Sequence, residues 1–180
     1  MPLGSDYLAS AYLGRGFVSG SPGGVTLSRS NTEALDGLWS LKITNDAAPG
    51  TITVEVGPYP VTAGDVYSWT AAFLDGGSHE SAFAAVSWYD GATLISTSDG
   101  SVITTSQTAW EASVGTATAP ATATLAFIEF TIEAAPASSV FYVDGAGLFP
   151  GPSSVWSYPG VGVASTLALT YALNSLVVAS

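Results

Sequence analysis

The sequence predicts an all-β fold: a two-sheet antiparallel sandwich followed by an apolar C-terminal extension. Three observations carry that reading. Apolar residues alternate with period two over short segments. Gly, Pro, Asp and Ser punctuate those segments, and no stretch before residue 150 sustains a helical period. Charged residues make up only 9% of the 180 positions against 47% AVILMFWYC, a composition that buries a core rather than staying disordered.

The elements follow in chain order. Trp39, Leu41 and Ile43 share one face of an early strand, and Ile52, Val54 and Val56 share one face of the next. Tyr67, Trp69, Ala71 and Phe73 form a third set, and Ala84, Val86 and Trp88 a fourth. Ala126, Ile128, Phe130 and Ile132 line one side of a long strand, with Leu125, Phe127, Glu129 and Thr131 opposite. Phe141 and Val143 close the series. Between them lie turns at Ala47-Ala48-Pro49-Gly50, Thr62-Ala63-Gly64-Asp65, Asp75-Gly76-Gly77-Ser78, Asp90-Gly91 and Asp99-Gly100. About ten short strands at this spacing close into a sandwich. The division expected is an N-terminal arm over 1–24, a sandwich over 25–151 and a tail over 152–180.

Pro150-Gly151-Pro152 opens that tail, which carries no charge. Leu167, Leu169, Tyr171 and Leu173 alternate within it as one amphipathic strand, while Leu169, Leu173 and Leu176 also fit helical spacing. An apolar tail outside the sandwich either pairs with neighbouring copies or folds back on its own domain. Prolines, glycines and hydroxyls interrupt it, so no membrane span is expected. The start, Met1 to Asp6, lacks the basic and apolar regions of a secretory signal.

Charge and side-chain inventory exclude several classes of function. Three Lys and Arg against fourteen Asp and Glu give −11, so no basic face tracks phosphates and nucleic acid is not a partner. There is no cysteine and one histidine, which removes disulfides, thiolates and His-pair metal sites. His79 sits in a Gly-Gly-Ser loop with no matched nucleophile. Glu129 and Glu133 are the carboxylates nearest each other on a strand, but four residues span about 13 Å, too far for a retaining glycosidase pair. The chain reads as a non-enzyme.

Five phrases in order resemble one family. They are Gly37-Leu38-Trp39-Ser40-Leu41-Lys42-Ile43-Thr44; Val61-Thr62-Ala63-Gly64-Asp65-Val66-Tyr67; Trp88-Tyr89-Asp90-Gly91 leading into Leu94-Ile95-Ser96; Trp110 ahead of Thr116-Ala117-Thr118-Ala119-Pro120; and Phe141-Tyr142-Val143-Asp144-Gly145-Ala146-Gly147-Leu148. Their order and spacing resemble jelly-roll carbohydrate-binding modules of the cellulose- and xylan-binding kind, variants of which are carried in minor tail proteins of actinobacterial phages. The resemblance covers about residues 25 to 150. It implies a structural calcium with Asp144 as carboxylate ligand and Gly37 as carbonyl ligand. A turn cap before Gly145 is the competing role for Asp144. The family's opening Asn-x-x-Phe-Glu-x-Gly segment has no match in Asp6 to Ser21.

Sugar recognition needs exposed rings beside hydrogen-bonding groups. Tyr59, Tyr89, Trp156 and Tyr158, each near turns or prolines, are the candidate glycan-binding aromatics, whereas Trp88 is expected in the core. The resulting expectation is a non-enzymatic phage virion protein, in the tail or decorating the capsid, outside the cell after host lysis. Its tail residues Leu167, Leu169, Tyr171 and Leu173 would hold it to virion proteins or to copies of itself. Its sandwich would adhere to host-surface glycans or stabilise the particle. The rival is a free-standing glycan-binding module of a secreted polysaccharide-degrading system.

Overall fold

A computed structural model of the chain describes residues 18–19, 24–35 and 38–152. These residues form eleven strands: β1 (Val18–Ser19), β2 (Val25–Ser30), β3 (Ser40–Asn45), β4 (Gly50–Pro60), β5 (Val66–Asp75), β6 (Ser81–Asp90), β7 (Thr93–Asp99), β8 (Ile103–Thr104), β9 (Glu111–Thr118), β10 (Leu125–Ala135) and β11 (Val140–Pro150). One sheet runs β1-β4-β10-β6-β7, with β8 also paired to β6; the other runs β2-β3-β11-β5-β9. Every pairing is antiparallel. The all-β sandwich read from the sequence is the fold of the described residues. Two of them, Val18 and Ser19, lie within the expected N-terminal arm and pair with Glu55 and Val54 at the edge of β4.

Alternation explains the core. Ile52, Val54 and Val56 of β4, Ala84, Val86 and Trp88 of β6, and Ala126, Ile128, Phe130 and Ile132 of β10 point inward from the first sheet. Leu41 and Ile43, then Trp69, Ala71 and Phe73, then Phe141 and Val143 meet them from the second. Each of these is buried, and Phe73 meets Phe130 edge-on across the sheets at 6.1 Å. Trp39 departs from the expected face. It precedes β3, is half-buried, and carries the Arg29 guanidinium 4.3 Å above its ring.

Two fully buried indoles bring polar N–H groups into this core, and each finds an acceptor. Trp69 Nε1 donates to the Ala84 carbonyl of the facing sheet at 3.1 Å. Trp88 Nε1 donates to Ser98 Oγ at 3.0 Å. Room for the Trp69 ring comes from β9, where Gly115 pairs opposite it; a Cβ at Gly115 would lie 2.2 Å from a ring carbon. An orphaned indole N–H would cost about 1–3 kcal/mol, so the Trp69 bond fixes how the sheets stack and the Trp88 bond ties β6 to β7.

The loop after β5 is held by one carboxylate. Asp75 is buried and accepts hydrogen bonds from the backbone N–H groups of Gly77 (2.5 Å), Ser78 (2.9 Å) and His79, and from Thr105 Oγ1 (3.0 Å). Burial opposes its charge, but the backbone donors of Ser78, Gly77 and His79 and then the Thr105 hydroxyl outweigh it and hold the carboxyl below its ordinary 3.8. His79 is bent to φ 58° in this loop, and its Nδ1 lies 3.1 Å from the Thr105 carbonyl, where it donates. The loop histidine is structural, pinned by the same Asp75.

Candidate functional site

The outward faces of the two sheets differ. On the second sheet Ser68, Thr70, Ala72 and Leu74, the outward residues of β5, are all buried. On the same side the Leu35 N–H donates to Asp144 Oδ2 at 2.8 Å, tying the segment before β3 to β11. On the first sheet the outward positions stay partly open: Glu55 on β4, Phe127 and Glu129 on β10, Phe83 and Tyr89 on β6 are half-buried, and Thr97 on β7 is exposed. This face combines accessible rings with an opposed pair of carboxylates.

Register assembles it. Glu129 pairs with Glu55 on one side and with Ala85 on the other, and Ala85 pairs with Asp99. Phe127 pairs with Ser87, and Ser87 with Thr97. The ring of Phe127 leans over Gly57, where a Cβ would come within 2.8 Å of it, so this site requires glycine. Tyr89 stands against Phe127 with centroids 5.2 Å apart and planes at 70°. Phe83 lies six residues from Tyr89 along β6, about 20 Å, the length of an oligosaccharide rather than a single sugar.

A polar chain crosses the sheet between these rings. Ser87 Oγ donates to Glu129 Oε1, so the 2.9 Å contact between Ser87 and Thr97 is a donation from Thr97. Glu129 stands directly opposite Glu55 on the neighbouring strand, and Tyr89 lies close enough to both for their charges to act on its phenol. Burial first, then the charge of Glu129 and the hydrogen bond with it, push Glu55 above its ordinary 4.5; the Tyr89 donor pulls the other way. Burial, followed by the charges of Glu55 and Glu129, likewise pushes the Tyr89 phenol up.

The candidate residues read from the sequence fall in different places. Tyr89 lies on this face. Tyr59 does not join it: a register shift between Ala126 and Ile128 brings Tyr59 opposite the inward-facing Ala126, and its ring packs against the core. Trp156 and Tyr158 lie outside the described residues, as do Leu167, Leu169, Tyr171 and Leu173 of the tail and Gly37 of the implied calcium site. Asp144 is fully buried, and besides Leu35 N–H it accepts from Gly145 N–H at 2.6 Å. Among the described residues no three His, Cys, Asp or Glu side chains gather as metal ligands, and calcium takes about six to eight oxygens. Within the described residues, Asp144 is a carboxylate that binds peptide N–H groups. Glu55, Phe127 and Phe83 were absent from the sequence candidates. Glu129 was considered only with Glu133, its neighbour along the strand.

No protein-family model matches the sequence, and no curated protein sequence matches it. Solved structures do. The xylan-binding domain CBM22-1 of Paenibacillus barcinonensis Xyn10C is similar with a TM-score of 0.59 at 14% identity, over 78% of this chain and 88% of that one. The C-terminal family 22 carbohydrate-binding module of Clostridium thermocellum Xyn10B gives 0.58 at 18%, over 79% and 96%. The enzymatically active domain of bacteriophage CBA120 tailspike protein 4 gives 0.59 at 11%, over 83% of this chain and 22% of that one. The fold is that of jelly-roll carbohydrate-binding modules.

The raised Glu55 carboxyl has a stability consequence with a fixed sign. Below 4.5 both folded and unfolded chains hold the proton. As pH rises, the unfolded chain releases it first, so stability falls until the folded carboxyl also ionises. Glu55→Gln is therefore expected to raise the melting temperature at about pH 7 and to leave little difference at about pH 4. Thermal unfolding of both proteins at the two pH values checks this. An unchanged or lower melting temperature for the variant at neutral pH would contradict the raised Glu55 carboxyl.

Proposed function

We propose that the chain is a non-catalytic glycan-recognition module whose binding face is the outward side of the β4-β10-β6-β7 sheet. The observation that carries this is the juxtaposition of Tyr89 and Phe127 with the Glu55–Glu129 pair on one open face. Rings take the apolar faces of pyranoses, while carboxyl and hydroxyl groups take their hydroxyls. The xylan-binding domain and family 22 module of the same fold add support. Hydrolysis is the weaker reading. A retaining pair must flank a glycosidic bond, whereas Glu55 and Glu129 stand side by side on adjacent strands of one sheet face.

The setting proposed is a phage particle that displays the module in many copies. Support comes from the resemblance to modules carried in minor tail proteins and from a tailspike domain of the same fold. Exchanging water for protein around a sugar yields little per contact, so repetition supplies the strength. The alternative setting, a free-standing module of a polysaccharide-degrading system, draws on the xylanase origin of the family 22 modules.

A glycan array probed with monomer and with a multivalent display tests the binding face. The expected outcome is weak monomer signal, a stronger multivalent one, and a loss of roughly tenfold in affinity for either Tyr89→Ala or Phe127→Ala. Variants that keep the fold and bind as wild type would remove this face from consideration. Immunogold labelling of purified particles tests the setting: the account expects repeated label on each particle, and unlabelled particles alongside soluble chain would favour the free-standing module.

A further inference from the structure

We propose that Glu55 and Glu129, facing each other across β4 and β10, make this face selective for an uncharged glycan and against polysaccharides that carry carboxylates. The inference rests on the glycan-binding reading of the face and names the class of ligand that the face takes.

Placement of charge is the first argument. The two glutamates stand midway between the Tyr89–Phe127 rings and Phe83. Asp99 of β7 lies in the same cross-strand row beyond the buried Ala85, and Glu133 lies further along β10. The basic residues that the structure describes are elsewhere. Arg29 is on β2 above Trp39, and Lys42 is on β3, both in the other sheet. Among the described residues, then, no cation of the binding sheet meets an incoming uronate. Its carboxylate would be brought against the glutamate pair in a partly desolvated site, where like charges repel more than in water.

Hydrogen-bond capacity is the second. Ser87 and Thr97 already spend their hydroxyl protons along the chain that ends on Glu129. The opposed carboxyl groups offer a row of acceptors, and a sugar hydroxyl is both donor and acceptor. A neutral pyranose can donate to this row at every hydroxyl, whereas the carboxylate of a uronate can only accept. Tyr89 on β6 is the other titratable group at the pair, and the paired residues of β1, Val18 and Ser19, carry none. Because the Glu55 carboxyl is raised and a protonated carboxyl can also donate, affinity for a neutral glycan falls as rising pH ionises it. A cationic amino sugar would show the opposite slope, since ionising the pair would attract it.

Isothermal titration calorimetry of the full chain with xylohexaose, cellohexaose and hexagalacturonate, at about pH 5 and about pH 8, tests the inference. At least one neutral hexaose is expected to bind, more tightly at the lower pH. Hexagalacturonate is expected to bind at least about tenfold more weakly than it at both. In the double variant Glu55→Gln with Glu129→Gln the affinity ratio between the neutral sugar and hexagalacturonate should shrink towards one and the pH dependence should disappear. Circular dichroism verifies that the variant is folded, and wild type alone still reads the gap and the slope. Hexagalacturonate binding as tightly as the neutral sugars, or a gap unchanged by the variant, would overturn the selectivity while leaving the glycan reading in place. No binding by any hexaose would remove both.

Discussion

Stacking two sheets over two tryptophans imposes the constraint on which the rest of this molecule depends. Trp69 and Trp88 are fully buried, and each carries an N–H that the core cannot leave without an acceptor. Trp69 solves this by reaching the Ala84 carbonyl on the opposite sheet, which locks β5 over β6. That bond needs a ring-sized gap on β9, which Gly115 provides, and it needs β6 to present its carbonyl inward at this level. Once β6 is set by its inward residues, its outward residues Phe83, Ser87 and Tyr89 are set too, because successive side chains alternate. The candidate binding face is in this sense the reverse side of the tryptophan core.

The face is built at a cost to stability. A hydrophobic sandwich of low charge has no structural need for two glutamates placed side by side at a half-buried row, where burial and mutual repulsion work against the second charge. Asp75 and Asp144 show how the same chain treats carboxylates whose role is structural. Both are buried, and both accept backbone N–H groups that fasten a neighbouring segment. Glu55 and Glu129 instead face each other on an open surface beside two aromatic rings, with the Glu55 carboxyl raised. Perturbed pairs of this kind concentrate where ligands are recognised.

What the sequence made legible follows from what is local. Period-two alternation is a property of one strand, so the inward sets of β4, β5, β6, β10 and β11 could be read directly, as could the turns after Asp75 and Asp90. Pairing is not local. Glu55 and Glu129 are 74 positions apart in number, and nothing in either strand says that they oppose each other; the residue visibly near Glu129 was Glu133, on its own strand. Tyr59 shows the same gap in another form. Alternation continued from Val56 cannot foresee the register shift around Gly57-Pro58 that brings it over the core. Trp39 was placed with Leu41 and Ile43 because it shares their spacing, yet the strand begins only at Ser40, after which the alternation holds. Phe127 was seen on the right side of its strand, but its partnership with Tyr89 depends on the antiparallel register of β10 with β6.

The central claim is that one face, the outward side of the β4-β10-β6-β7 sheet, does the recognising. Amide chemical-shift mapping during titration with a mixture of neutral xylan oligosaccharides tests it most directly, because it reports on both sheets at once. The account predicts saturable shifts that centre on Glu55, Tyr89, Phe127 and Glu129 and fade towards β2, β3 and β11. Shifts confined to the opposite sheet, or none at saturating sugar, would contradict it.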